Sequence, residues 1–259
     1  MFSFFRKKEK ENIQSSTREI VTDYSDVSII AEYFKGETGV TFDKQISILK
    51  NKVTTFCKHR EIYSFSSLLS LVKTDVTIKQ ELIDCLTTNE TFFYREFKQI
   101  SELVALVKQT SEAVDILCAP SATGEEPYSI AIALLEADVA AHKFKIVGID
   151  INQEALDKAV NAVYKQRNIR NLSEDILTKY FKQENDLYKL KESVKSLVSF
   201  KLMNIFDASF KNIGTFDFIF SRNMLIYFDK ETKLKAKTIL QNQRKNDKYD
   251  IFFGHADLF

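Results

Sequence analysis

Only two prolines, Pro120 and Pro127, occur in the 259 residues, and no Pro- or Gly-rich stretch marks a flexible linker between modules. Cysteine is scarce as well. Cys57, Cys85 and Cys118 are odd in number, widely spaced and set in apolar stretches, which excludes a disulfide framework and reads as reduced core thiols of a cytoplasmic chain. His59, His142 and His255 stand apart from the cysteines and from one another, so no metal-ligand spacing exists. No run of 18 apolar residues is present, so membrane insertion is not expected. The 37 Lys and Arg against 36 Asp and Glu leave a net charge of +1, which provides no global field to gather nucleic acid or anionic lipid. The start, Met1 to Phe5 followed by Arg6-Lys7-Lys8, has its apolar residues before the charges and too few of them for a signal peptide.

What is present suffices for a full core. The 44% hydrophobic content suits one large domain, or a large one with a small companion. Residues 1–25 read as a polar, flexible leader. From Val27 to Leu86 apolar positions recur at helical spacing, as in Val27, Ile30, Ala31 and Phe34, then Ile46, Leu49, Val53 and Phe56. This predicts about four short helices over 26–86, the first pair broken by Gly36 and Gly39. Residues 87–112 read as a linker. From Ala113 onward short apolar runs at 114–118, 145–149, 197–202, 216–220 and 249–253 alternate with helical patterns near 126–138, 152–163 and 229–242. That alternation predicts an α/β, doubly wound parallel sheet over 113–259, with ligands at the carboxyl ends of its strands. The segment 165–200 breaks the alternation and is expected to be a small insertion with its own strands.

Four constellations carry the chemistry. The run Cys118-Ala119-Pro120-Ser121-Ala122-Thr123-Gly124-Glu125-Glu126-Pro127 takes a strand through a turn of small residues into a helix starting at or just after Pro127. One glycine and two glutamates there disfavour a nucleotide phosphate and favour a cationic ligand such as S-adenosylmethionine; an ordinary acidic first helical turn is the rival. Asp150 closes the second strand, placed either to accept ribose hydroxyls or to cap the next helix, a task Asn152 could also perform. Asn204-Ile205 and Asn223-Met224 follow the third and fourth strands, where a side-chain amide can read an adenine edge or an amino-acid moiety. Finally Leu86-Thr87-Thr88-Asn89-Glu90-Thr91-Phe92-Phe93-Tyr94-Arg95-Glu96 mixes apolar anchors with hydrogen-bonding groups, as a segment crossing the crevice would.

These stretches, with Ala122 to Ala131 and Ser221 to Asp229, resemble in order and spacing the chemotaxis receptor methyltransferases of the CheR family, over about residues 25–259. The resemblance implies a Rossmann-like S-adenosylmethionine-dependent methyltransferase domain with a small inserted β-subdomain, preceded by an all-α N-terminal domain. It implies a cofactor site made of Asn89, Thr91, Arg95, Glu126, Asp150, Asn204, Ile205, Asn223 and Met224, with Glu126 favoured over Glu125. Methyl transfer to glutamate side chains of receptors is the implied activity, on the cytoplasmic methylation helices, by a monomer. Members usually continue past the Gly254-His255 motif, whereas this chain stops at Phe259, which implies an exposed sheet edge.

A carboxylate acceptor is already an anion near neutral pH, its unperturbed pKa being about 4.3, so the reaction calls for orientation rather than a general base. Arg95, with its planar fork, is the expected orienting group. Tyr227 is the candidate for the methyl channel, against an ordinary packed tyrosine. A basic face of Lys44, Lys50, Lys52, Lys58 and Arg60 is either a docking surface for acidic receptor helices or a solvated helix side. The loop Gln183 to Tyr188 has no glycine, which predicts that no receptor tether is bound there, unless Asn185 turns the chain instead. A catalytically silent S-adenosylmethionine-sensing or docking module is the alternative function. A nucleic-acid methyltransferase is disfavoured by charge and by the lack of an Asn-Pro-Pro-Tyr type motif.

Overall fold

A computed structural model describes residues 22–258. Most of the leader expected at 1–25 lies outside the described residues, but its end does not dangle. Asp23 N–H donates to the Tyr63 carbonyl at 2.8 Å and the Tyr24 hydroxyl donates to the Ile62 carbonyl at 2.6 Å, so the fold starts a few residues before the expected boundary.

Four helices follow: α1 (Ser28–Thr38), α2 (Ile46–His59), α3 (Phe65–Thr74) and α4 (Val76–Leu86). Ser64 and Asp75 start α3 and α4 by accepting first-turn N–H groups that would otherwise lack partners. Ile30, Phe34, Leu49, Val53, Phe56, Leu68 and Leu82 form the bundle core. Two details differ from expectation. Gly36 lies inside α1 and only Gly39 ends it; Ile46, assigned to the apolar stripe, is 47% exposed, because it opens α2 where the chain has not yet turned onto the core.

Within the presumed linker, Phe97–Val107 forms a helix, α5. Then come β1 (Val114–Cys118), α6 (Glu125–Glu136), β2 (Phe144–Asp150) and α7 (Gln153–Asn161). The insertion holds β3 (Val163–Lys165), the short helices α8 (Gln166–Ile169) and α9 (Glu174–Tyr180), β4 (Phe181–Glu184), β5 (Leu187–Leu190) and α10 (Glu192–Lys195). The chain then returns through β6 (Val198–Leu202), β7 (Phe218–Ser221), α11 (Lys230–Gln241) and β8 (Phe252–Phe253). The last strand is thus shorter than the apolar run at 249–253.

The main sheet has the order β6-β2-β1-β7-β8 and every pairing is parallel. Its order reverses at β1, which opens a crevice between the carboxyl ends of β1 and β7. The inserted strands form a separate antiparallel sheet, β3-β5-β4. Asn185 adopts φ +54° between β4 and β5, so this hairpin turns without glycine and the reason for excluding a tether there disappears.

The helical bundle sits on the carboxyl ends of the strands. Gln80 Nε2 donates to the Ile151 carbonyl at 2.8 Å after β2, and Asn204 Nδ2 donates to the Glu37 carbonyl at 2.7 Å after β6. Thr41 N–H donates to the Tyr227 carbonyl at 2.9 Å after β7, and Lys35 pairs with Asp229 at 2.6 Å.

The turn after β1 depends on Gly124. The α6 helix starts at Glu125, two residues before Pro127, with Gly124 as N-cap at φ +91°. A Cβ there would lie 2.9 Å from that of Ala159 and 3.1 Å from the Tyr128 ring. Gly124→Ala is expected to lower unfolding free energy by about 2–4 kcal/mol through left-handed strain and overpacking, read from urea denaturation of the purified protein.

Candidate active site

A cleft opens at the carboxyl ends of the strands, between the sheet and the helical bundle, the place where ligands bind in open parallel sheets. Each strand end contributes: Ala119, Pro120 and Ala122 after β1; Ile149, Asp150 and Ile151 at β2; Met203 to Phe206 after β6; Asn223, Met224, Tyr227 and Phe228 after β7. The opposite wall is Thr38 to Phe42 and Gln45 of the bundle, with Leu86 to Asn89. Asn89, Asp150, Asn204, Ile205, Asn223, Met224 and Tyr227 therefore come together around one cavity, as read from the sequence. Thr91, Arg95 and Glu126 are not part of its lining.

Asp150 is 5% exposed. Its carboxylate accepts the N–H groups of Ala122 at 2.8 Å and Asn152 at 2.9 Å, which fixes it at the junction of the β1 and β2 turns. Burial pushes its pKa up to about 6, against those hydrogen bonds. The capping role falls to Asn152, whose side chain accepts the Ala155 N–H at 2.7 Å and donates to Thr87 Oγ1, also at 2.7 Å. The two readings of Asp150 are thereby separated: it caps nothing and faces the cavity.

The two glutamates of the α6 start also part company. Glu125 is fully buried and accepts from Thr123 Oγ1 at 2.6 Å and Asn168 Nδ2 at 2.7 Å, so it binds the insertion to the sheet domain. Glu126, 8% exposed, forms an ion pair with Arg222, itself 6% exposed. Arg222 Nη1 also donates to the Arg95 carbonyl at 2.9 Å. Burial raises the Glu126 carboxyl pKa while Arg222 opposes the rise. Apart from the Cys118 thiol beside it, Glu126 Oε1 has no hydrogen-bond partner among the described residues, and neither do Ser121 Oγ and Ser221 Oγ. A buried carboxylate oxygen without a donor is suited to a ligand ammonium.

Arg95 is half-buried behind the cavity rim. Its Nη1 donates to the Glu90 carbonyl at 3.1 Å and its guanidinium lies 5.7 Å from the Phe92 ring centre. Its charge acts on both Glu126 and Tyr227. Phe93 anchors this stretch by packing edge-on against Tyr164 and Phe181 at 4.8 and 5.3 Å. Burial raises the Tyr227 pKa, and its side chain shares a hydrogen bond with Thr88. Sequence reasoning missed Arg222, although it stands inside a quoted motif, and missed the bundle residues Thr38 to Gln45. A buried arginine at a strand end was a usable signal; the bundle wall had none, because docking is not written in local periodicity. Among the described residues no His, Cys, Asp or Glu cluster could hold a metal ion and no helix is long and apolar enough to cross a membrane.

A parallel sheet of this order, an acidic residue closing β2, a turn of small residues after β1 and a cavity over the strand ends define the Rossmann-like S-adenosylmethionine-dependent methyltransferases. The sequence matches the family profile of the CheR methyltransferase SAM-binding domain over residues 89–259, and the chain belongs to that family. It is similar to the chemotaxis protein methyltransferase of Campylobacter jejuni, with 36% identity over 85% of this chain and 84% of that protein. Those of Borreliella burgdorferi and Salmonella typhimurium are 29% and 30% identical, over 83% and 85% of this chain and 81% and 78% of theirs. The chain is accordingly an S-adenosylmethionine-dependent methyltransferase, and the silent-module alternative is not favoured. The residues present fit that cofactor: the walls are largely apolar, and two buried carboxylates stand at the cavity and beside it.

If the ionised Asp150 holds ribose hydroxyls, its protonation removes an acceptor. S-adenosylhomocysteine affinity is expected to fall as pH drops through about 6. Asp150→Asn is expected to weaken binding by about 1.5–3 kcal/mol at pH 7.5 and to flatten the pH dependence. Calorimetry between pH 5 and 8 checks both.

Proposed function

We propose that this enzyme esterifies glutamate side chains on the cytoplasmic methylation helices of chemoreceptors, acting as a single chain in the cytoplasm. The observation that carries the reading is Tyr227 in the wall of a largely apolar cleft with Arg95 just behind its rim, its charge acting on Tyr227, in a chain of the CheR family. A guanidinium at the rim can pair with an incoming carboxylate, and an apolar wall strips water from that anion.

In this reading Asn89, Thr91, Asp150, the Asn204-Ile205 pair and the Asn223-Met224 pair hold the cofactor, with Glu126 toward its ammonium. S-adenosylmethionine supplies an electrophilic methyl group and departs as the neutral thioether S-adenosylhomocysteine. Bound there, the cofactor would supply the methyl carbon to an acceptor carboxylate oxygen and keep the sulfur–methyl electron pair on its leaving thioether sulfur. No proton moves. Arg95 orients the acceptor and Tyr227 lines its path. The domain division that goes with this is a receptor-facing bundle at 26–86, a cofactor-covering segment at 87–112 and a methyltransferase domain at 113–259 with its insertion at about 165–200.

The bundle surface supports receptor docking in part. Lys44, Lys50 and Lys58 are exposed on and before α2. Lys52 instead donates to the Cys85 carbonyl at 3.0 Å, and Arg60 pairs with Glu81 at 2.7 Å and lies over Phe56. These last two hold the bundle together rather than face a partner.

Incubation with labelled S-adenosylmethionine and receptor-bearing membranes is expected to give protein-bound label that base releases, as an ester requires. Arg95→Ala is expected to lower that transfer roughly 10- to 100-fold with little change in thermal stability. Label stable to base would overturn the ester assignment.

Exposed lysines act through solvent, where the Debye length falls from about 10 Å at 0.1 M salt to about 3 Å at 1 M. Receptor methylation is therefore expected to decline with salt and in Lys44→Glu/Lys50→Glu, with S-adenosylhomocysteine affinity unchanged. Steady methylation in both conditions would remove α2 as the docking face.

A further inference from the structure

The chain from Arg222 to Tyr227 is neither strand nor α-helix beyond one short turn, so its backbone N–H groups need partners from elsewhere. Tyr227 N–H donates to the Met224 carbonyl at 3.2 Å, while those of Asn223, Leu225 and Ile226 find one carboxylate. Asp257, 3% exposed, accepts the Asn223 N–H at Oδ2 and the Ile226 N–H at Oδ1, the latter at 3.2 Å, while Gly254 N–H adds to Oδ2 at 3.2 Å. Asn223 is held at φ +59°, in the left-handed region that Asn enters more readily than other side-chain-bearing residues. The segment carrying Asp257 also comes very close to this turn. A Cβ at Gly254 would lie 2.9 Å from Asn223 N and 3.2 Å from Arg222 Cα, both backbone atoms that cannot swing aside. The same segment is tied to the Arg95 region, because Glu96 Oε2 accepts the His255 N–H at 3.1 Å.

We propose that Asp257 is a positioning residue of the methyl-transfer site, whose buried carboxylate sets the conformation of the Asn223 to Tyr227 turn against which the cofactor binds. Asp257 does not line the cavity, so it acts through Asn223, Met224 and Tyr227, which do. An ionised carboxylate is an acceptor-only group, and here it serves the backbone N–H groups of Asn223, Leu225, Ile226 and Gly254. An amide of the same shape would turn an NH2 toward N–H groups and drive the turn away. The proposal rests on the reading of this cavity as the cofactor site.

The experiment measures S-adenosylhomocysteine affinity by calorimetry on the full chain for wild type, Asp257→Asn, Asp257→Glu, Gly254→Ala, Asn223→Ala and the core variant Leu240→Ala. Thermal unfolding without ligand, and the amide proton shifts of selectively labelled Asn223 and Ile226, are recorded beside it. Asp257→Asn and Gly254→Ala are expected to raise Kd at least tenfold, and Asp257→Glu to recover part of that loss. In Asp257→Asn both amide protons should move upfield as their charged acceptor is lost. Affinity within twofold of wild type in a folded Asp257→Asn overturns the proposal. If that variant does not fold, Gly254→Ala decides by the same criterion. Affinity losses that merely follow the drop in melting temperature, on the line set by Leu240→Ala, would also overturn it by reducing Asp257 to a general stabiliser. Wild-type affinity in Asn223→Ala together with a loss in Asp257→Asn would instead bring down the cofactor reading of this turn, and the proposal with it.

Discussion

The Arg222–Glu126 ion pair holds together the parts from which the site is made. Arg222 leaves the end of β7, Glu126 sits in the first turn of α6, and the Arg95 carbonyl belongs to the aromatic stretch before α5; one guanidinium bonds all three. Such a pair is costly to bury, since taking two charges from water offsets most of their attraction. Its retention at 6% and 8% exposure points to geometric specificity more than to stability. One carboxylate oxygen is spent on the arginine, and the other has only the Cys118 thiol beside it among the described residues. The α6 dipole adds positive potential at the same point, because Glu126 lies in the first turn.

Around this pair the site is divided between rigid and adaptable parts. The strand ends supply the rigid part, since β1, β2, β6 and β7 are locked in one parallel sheet. Turns add residues in the left-handed region, Asn223 at φ +59°, which Asn tolerates, and Ala122 at φ +45°, which needs its surroundings to hold it. The aromatic segment contributes weight rather than chemistry: Phe93 is fully buried and leaves Arg95 beside it free to carry out a polar task. The proposed carboxylate acceptor would suit this division, because orientation and water exclusion, not proton transfer, are what such a reaction demands.

Much of this was legible in the sequence, for local reasons. Strand and helix alternation gave the sheet because buried parallel strands are continuous apolar runs, and Asp150 and Asn223 could be placed because the first follows such a run directly and the second within three residues. Asn152 as helix cap was legible from its type and place. The Glu125 and Glu126 roles could not be told apart by periodicity, since adjacent residues point to different faces of a helix and only the tertiary partners, Asn168 and Arg222, say which face is which. Gly36 and Ile46 were misjudged because glycine breaks a helix only when the backbone needs a left-handed turn, and a periodic apolar residue is buried only once the helix is over its core. Thr38 to Gln45 and Asp257 escaped altogether, being brought to the cavity by long-range docking that leaves no trace in spacing.

That docking bears on how such enzymes can be recombined. The stretch from Thr38 to Gln45 closes the cleft from the bundle side, and the bundle is stitched to three different strand ends by Asn204, Gln80 and Thr41. A chimera that swapped residues 26–86 for those of a relative, to redirect the enzyme to another receptor, would exchange a wall of the cofactor chamber at the same time. With the bundle facing the receptor and the cleft holding the cofactor, as proposed, partner choice and cofactor grip would be inherited together, so a graft would have to carry the seam at Glu37, Thr41 and Gln80 with it.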